Sequence, residues 1–261
     1  MQISRIAISL LLASALSPAL AAQTDCPQHY AGGQAPDLLK PAMQQGARPL
    51  CFSAFGVVHS AVSRTPLWSA EYLTPARVAK AATLERKDSF HEEERLPEAE
   101  RAELEDYRAS GYDRGHLSPN HDMPDLQAQA ESFSLANIVP QAPWANRGQW
   151  GDLEEAVRKR VKAGRSLHVI SGPMFEGSQL AQLDGRVLVP SAMFKLVCDL
   201  QARQLVAFVL SNELRPAATP RYQQVSLVEL ERRLGMTLLP GVPEAAAFGK
   251  LVLPGTSTAS R

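Results

Sequence analysis

The 261-residue chain is short of several things, and each shortage removes a class of protein. It has no excess charge: 27 Lys+Arg stand against 27 Asp+Glu. A broad basic surface for tight residence on a polyanion is thereby excluded, because such binding draws on clustered cations. One basic cleft on a neutral molecule, giving weak and salt-sensitive contact, is still compatible. Cysteine is limited to Cys26, Cys51 and Cys198, too few for a disulfide scaffold. There is no Gly-x-Ser-x-Gly, the strand-to-helix elbow that presents a hydrolase serine. No repeat unit or low-complexity linker breaks the chain, which argues against solenoids and bead-like arrays. Past the first 20 residues no apolar run is long enough to cross a bilayer.

What is there begins with a leader. Arg5 is a short basic head, Ile6 to Leu16 is almost wholly apolar, and Ser17-Pro18-Ala19-Leu20-Ala21 ends in small-x-small. That pattern predicts a signal peptide, residues 1–21, cut after Ala21, and an exported protein, periplasmic or secreted, with no membrane attachment after cleavage. Removing it takes away only Arg5 and leaves a formal charge of −1. In an oxidising compartment the favoured pairing is Cys26 with Cys51, although two others are possible. Cys198 lies in the strand-like Phe194-Lys195-Leu196-Val197-Cys198 and reads as a buried thiol. Length and an even composition of 45% hydrophobic and 21% charged residues suit one domain over residues 22–261.

Periodicity gives the elements. Residues 51–60 and 66–72 are β-rich around a polar turn, a hairpin. Thr74-Pro75 starts a short helix over 76–83, Thr as N-cap and Pro at its first position. Residues 86–105 are charged and poor in apolar side chains, as in an exposed loop with a helical piece. Residues 110–120 hold two glycines and a proline and read as a turn-rich surface segment. A helix over 126–135 and a loop over 137–147 follow. Trp150, Leu153, Val157 and Val161 recur at three- and four-residue steps, an amphipathic helix over 148–163 closed by Gly164. Residues 166–171, 186–190, 192–200 and 204–211 read as strands, and 226–234 as a last helix. Hairpin-like strands with inserted helices predict an α+β fold with a mainly antiparallel central sheet flanked by helices.

Two clusters carry chemistry. In Asp113-Arg114-Gly115-His116 the imidazole, with an ordinary pKa of about 6.5, suits proton transfer near neutral pH. Arg114 can face phosphate, Asp113 can orient a partner, and Gly115 permits close approach of backbone. In the second cluster Asn146 precedes the amphipathic helix, while Glu154 and Arg158 lie on it. At about 100° per residue those two are about 40° apart and border the apolar stripe. Polar groups there are held more rigidly than on the outer face. The blander readings are a surface histidine and an ordinary i,i+4 Glu–Arg pair.

Together the clusters resemble the DNA/RNA non-specific endonucleases, the ββα-metal nucleases of Serratia and endonuclease G type. Asp-Arg-Gly-His stands at 113–116 behind Ser110-Gly111-Tyr112. The second family block stands as Asn137-Ile138-Val139-Pro140-Gln141, Asn146, Trp150, Leu153-Glu154 and Arg158. The resemblance runs over about 50–210. It implies a ββα-metal catalytic motif and hydrolysis of DNA or RNA without sequence preference. By resemblance His116 is the general base, Asn146 the direct protein ligand of Mg²⁺ with Mn²⁺ as substitute, and Glu154 a ligand through water. Arg158 would face the scissile phosphate, with Asp113 and Arg114 in the catalytic group; Arg86, Arg114, Asn137 and Arg158 would bind substrate, Asn137 as a supporting residue near the site. Arg86 matches an upstream family arginine by its spacing to Phe90, with Lys87 as the alternative. Some relatives are homodimers. Mg²⁺ keeps several waters, so one amide oxygen and a phosphate oxygen can hold it; contacts to phosphate carry no sequence information. Two rival readings stand beside this one: a zinc site from Asp113, His116, His121 and Asp122, and a secreted, non-catalytic nucleic-acid-binding module on the same fold.

Overall fold

The computed structural model describes residues 26–216 and 222–256; the expected leader lies outside them. In chain order the strands of the main sheet and of the separate β4–β5 pair are β1 (Ala47–Cys51), β2 (Phe55–Ser60), β3 (Thr65–Leu73), β4 (Asp113–His116), β5 (Ile138–Gln141), β6 (Leu167–Met174), β7 (Ala192–Asp199), β8 (Gln204–Ser211), β9 (Gln223–Val225) and β10 (Gly249–Lys250). The helices that matter are α1 (Pro75–Ala81), α2 (Leu126–Ser132), α3 (Trp150–Lys162) and α4 (Leu227–Leu234). The main sheet runs β9-β8-β7-β6-β3-β2-β1, antiparallel at every step, with β10 parallel against β8. This is the α+β, mainly antiparallel architecture that the pattern of elements implies.

Both faces of the sheet are covered, so its central strands are apolar almost throughout. Alternation along β7 sends Phe194, Leu196 and Cys198 into a core shared with α4 and the N-terminal segment around Tyr30. Val197 points the other way, into a core with Leu153, Val157 and Val161 of α3 and Val78 of α1. Lys195 shares the parity of Val197 and so faces α3. The helix ends follow their caps. Thr74 Oγ1 accepts from the Arg77 amide at 3.2 Å and Ser226 Oγ from that of Glu229 at 3.1 Å. Gly235 closes α4 at φ 70°, the left-handed cap that glycine tolerates best.

Four expectations are corrected. The stretch 113–116 is not a turn but β4, paired antiparallel with β5 in the register Asp113↔Gln141 to His116↔Ile138. The turn residues flank it, with Gly111 at φ 82°. Gly115 is buried, and a Cβ on it would come 2.1 Å from Gln141 Oε1. The partner strand falls inside the expected loop 137–147, where Pro140 obscures a buried Ile138-Val139 pair. Segment 86–105 is only partly exposed: Glu93 and Leu96 are buried, and Glu93 accepts from Ser134 Oγ at 2.7 Å. The expected strand at 186–190 is a two-residue strand, Val187–Leu188, paired with Gln182–Leu183 away from the main sheet.

The sulfurs of Cys26 and Cys51 lie within 4.8 Å of each other and of a His29 ring nitrogen, and are not joined. Cys198 is buried as expected, and burial pushes its thiol up to about 12. Among the described residues no helix is long and apolar enough to cross a membrane.

His59 on β2 is fully buried, its Nε2 donating to the Glu100 carbonyl at 2.9 Å. Burial is the main cause that pushes its pKa down to about 4. The unfolded chain binds a proton as pH falls through about 6.5, whereas the folded one stays neutral until about 4. The stability this gives above pH 6.5 is therefore lost on acidification, at about 1.4 kcal/mol per pH unit across the window. His59→Gln is expected to lower the melting temperature at pH 7 and to flatten its decline between pH 6.5 and 4.5. Parallel melting curves for wild type and variant across that range would refute the assignment.

Candidate active site

The imidazole of His116 is clamped by two aromatic rings. Its centroid lies 5.4 Å from that of Phe90 and 4.9 Å from that of Phe133, the latter edge-on. The same-face neighbour on β4, Arg114, stacks its guanidinium over Phe90 at 4.4 Å. Arg86 lies 5.4 Å over Phe133 and reaches Asn120 Oδ1 at 3.5 Å. Burial first, and the positive charge of Arg86 second, push the imidazole down to about 3. His116 is thus neutral across the working range and can accept a proton, and its Nε2 has no partner among the described residues.

The second cluster meets the first at Asp113. Its carboxylate accepts from Asn146 Nδ2 at 2.9 Å and from Arg147 at 2.8 and 2.5 Å. Burial opposes ionisation, but these bonds outweigh it and hold the carboxyl below the usual range. A carboxylate only accepts, so it is the amide nitrogen of Asn146 that faces it and the oxygen that is left for another ligand. Asn146 sits in a wide, π-type turn over Ala145–Gln149, with Gly148 at φ −116° and ψ −113° just before α3. Such turns re-aim a side chain that a regular helix would point elsewhere. Arg86, Phe90, Asp113, Arg114, Asn146 and Arg147 line one cleft of about 340 Å³. Arg86 therefore belongs both to this cleft and to the surroundings of His116, and joins the two clusters.

Arg158 emerges further along α3. It pairs with Asp122 Oδ1 at 3.3 Å and Glu155 Oε2 at 3.0 Å, and lines a neighbouring cleft with His121 and Lys162. Glu154, one residue before Glu155, lies inward, where burial lifts its pKa to about 7 against the attraction of Lys195 and Arg158. Three arginines and one carboxylate line the cleft around Asn146, and Asp88 pairs with Arg86 at its edge, so the cleft keeps a net positive lining on a neutral molecule.

The donors fit a hard divalent ion. Asn146 presents an amide oxygen and Glu154 a carboxylate; oxygen donors with room for water suit Mg²⁺ or Mn²⁺. The unpartnered Asn120 Nδ2 is an N–H donor, suited to a water or a phosphate oxygen and not to the ion. The set Asp113, His116, His121 and Asp122 does not gather for zinc. Asp113 is committed to Arg147 and Asn146, and the one group of three His, Cys, Asp or Glu ligands among the described residues is Cys26, His29 and Cys51.

Asn137 is corrected. It is fully buried, Oδ1 accepting from the Ser118 amide at 3.0 Å and Nδ2 donating to the Ser118 and Ser132 carbonyls at 2.8 and 2.9 Å. With no group left for substrate, it braces the segment after His116. Asp113 contacts Asn146 and Arg147. Arg147 and Lys195 were not singled out by sequence, and Asp122 only as a member of the rival zinc set. Only Arg147, next to Asn146, carried a signal: a cation beside an amide at the start of a helix.

The chain matches the DNA/RNA non-specific endonuclease family over residues 34–245. It is 32% identical over 191 residues to a nuclease of Nostoc sp., covering 68% of each chain. It is 31% identical over 216 residues to the mitochondrial nuclease EXOG of Danio rerio, covering 76% of this chain and 63% of that one. A crystal structure of the EndoG/EndoGI complex superposes with a TM-score of 0.64 at 25% identity, over 74% of this chain and 86% of that one.

Asp113→Ala should free the Asn146 amide to rotate. The concentration of divalent ion for half-maximal activity is expected to rise about 10- to 100-fold, the usual penalty for losing a partner behind a ligand. Metal titration of activity checks this. An unchanged half-activation point in a folded variant would show that Asp113 does not orient Asn146.

Proposed function

This chain belongs to the DNA/RNA non-specific endonuclease family, and on that premise we propose that His116 is its general base and that Asn146 holds one Mg²⁺-type ion. It is a metal-dependent nuclease that hydrolyses phosphodiester bonds without sequence preference. The observation that carries the residue assignment is the shared surrounding of the two clusters: Arg86 lines the cleft with Asn146 and also bears on the His116 ring.

The roles follow from the chemistry. Clamped between Phe90 and Phe133, His116 takes a proton from a water molecule aimed at phosphorus, an effect worth about 10²–10⁴-fold. A pKa as low as about 3 makes a weak base. An arriving phosphate offsets the charge of Arg86, one cause of that depression, and so strengthens the base when substrate is in place. Arg86 and Arg158 neutralise the non-bridging oxygens. Arg114 and Arg147 extend the positive cleft along the phosphate backbone, where none of these groups reads a base edge. Glu154 orients water on the side of Asn146. A bound ion supplies charge stabilisation at the phosphate and at the leaving 3′-oxygen.

The finer reading is of an exported enzyme. The leader pattern at residues 1–21 supports it, and the proximity of the Cys26 and Cys51 sulfurs supports a bridge in an oxidising compartment. Residues 22–261 then act as one nuclease domain on DNA and RNA.

Plasmid DNA and an RNA transcript incubated with enzyme, with and without EDTA, and then with added Mg²⁺ or Mn²⁺, test this reading on an agarose gel. Both substrates are expected to be digested, EDTA to stop digestion and either ion to restore it. His116→Ala should lower kcat by about 10²–10⁴-fold with metal binding retained. Asn146→Ala should lower activity and raise the metal requirement together. Near wild-type turnover in a folded His116→Ala would overturn the mechanism.

A further inference from the structure

Cys26, His29 and Cys51 play no part in the cleavage chemistry, yet the fold gathers them. Cys26 lies in, and Cys51 packs against, the core shared with α4, on the face of the main sheet away from α3. The first two are brought together locally. Cys26 precedes a 3₁₀ turn, Pro27–His29, that opens on proline, and the His29 amide donates to the Cys26 carbonyl at 3.2 Å. With about three residues per turn, such a turn returns residue 29 to the side of residue 26. Cys51 arrives from the end of β1. Its antiparallel partner on β2 is Gly56, where a Cβ would stand 2.0 Å from Tyr30 Oη. The missing side chain lets Tyr30 lie against the sheet, edge-on to Trp68 with 5.7 Å between ring centres. Tyr30 follows His29 directly, so it seats the turn beside Cys51.

The two sulfurs and a ring nitrogen of His29 all lie within 4.8 Å of one another. Around a tetrahedral zinc, with Zn–S about 2.3 Å and Zn–N about 2.0 Å, ligand atoms stand roughly 3.5–3.8 Å apart. Small side-chain rotations therefore close the set. The Phe52 carbonyl lies 3.0 Å from His29 Nε2 and can only accept, so it orients the imidazole and leaves one ring nitrogen to bind. The Tyr30 hydroxyl, 3.3 Å from Cys26 Sγ, can donate to a thiolate there. Charge selects the ion. Cys26 and His29 are buried, and two thiolates with a neutral imidazole carry two negative charges, which a divalent cation cancels where an unbalanced charge would be costly. Soft sulfur donors suit zinc and disfavour Mg²⁺, the reverse of the oxygen donors around Asn146.

We propose that Cys26, His29 and Cys51 form a second metal site, which in the dithiol form of the protein takes one thiophilic divalent ion of the zinc type and fastens the N-terminal turn to the edge strand β1. The ion is structural: its ligands share no residue with the clefts that hold Arg86, Asn146 and Arg158. The site does not depend on the nuclease reading. It is an alternative use of the sulfurs whose bridging was proposed above, because a Cys26–Cys51 bridge consumes both thiolate ligands. The protein holds the bridge or the ion and never both.

The test titrates the reduced, metal-stripped protein with Co²⁺, using a phosphine reductant that offers no thiol of its own. One equivalent is expected to raise a thiolate-to-cobalt charge-transfer band and the visible bands of tetrahedral cobalt. One equivalent of Zn²⁺ should bleach both, and excess Mg²⁺ should leave them. Cys26→Ser, Cys51→Ser and His29→Gln should each lose saturation at one equivalent, whereas Cys198→Ser and Asn146→Ala should keep it. With Zn²⁺ about 100-fold above its Kd the melting temperature of the reduced protein should rise about 5–10 °C, and that of Cys51→Ser should not. Absence of the charge-transfer band in reduced wild type overturns the proposal without recourse to any variant. So does a band that Cys198→Ser or Asn146→Ala removes, since the ion would then lie elsewhere, or an equal Zn²⁺ shift in Cys51→Ser.

Discussion

The carboxylate of Asp113 ties together two parts of the chain that are more than 30 residues apart. It receives hydrogen bonds from Asn146 and Arg147, while its own strand, three residues on, carries His116. The His116 ring and the Asn146 amide are therefore not independently placed. β4 fixes one against β5, the carboxylate fixes the other, and the wide turn before α3 lets Asn146 reach back. A hydrogen-bonded charge of this kind is worth more than a surface ion pair, because partial burial raises the cost of losing any one member. The aromatic clamp of Phe90 and Phe133 does for the imidazole what Asp113 does for the amide.

The electrostatics resolve a tension in the composition. A chain with equal numbers of acids and bases is a poor electrostatic trap for a polyanion as a whole. The cations are, however, unevenly spent. Arg77 and Arg158 pair with Glu71 and Asp122, and Arg48, Arg108, Arg165 and Arg233 sit in ion pairs with acids elsewhere. Around Asn146 stand Arg86, Arg114 and Arg147 with two acids, Asp113 and the Asp88 paired to Arg86. Charge that is absent on average is present where phosphate must bind, which is compatible with rapid turnover and release.

Much of this was legible in the amino-acid order. The three- and four-residue recurrence of Trp150, Leu153, Val157 and Val161 marks α3, and Thr74-Pro75 and Ser226 mark the starts of α1 and α4, because those signals are local. What escaped was set by long-range contact. Residues 113–116 carry turn-forming neighbours, and only the buried partner Ile138–Gln141 makes them a strand. Asn137 reads as one more polar residue near the site until its amide is seen committed to Ser118 and Ser132. Lys195, inside an apolar run, gives no periodic signal at all; its partners, Ser171 on β6 and Trp150 on α3, come from distant parts of the chain.

Gly115 shows how a signature can mislead about its own cause. The residue contributes no group to the chemistry, yet even a methyl in its place would collide with the side chain of Gln141 on the facing strand. The third letter of Asp-Arg-Gly-His is thus a clearance between one strand's backbone and the side chain facing it, recorded in the same four-letter word as a histidine and two charges. A survey of variants at that position would measure whether the two strands can close, and inactive clones there would say nothing about catalysis.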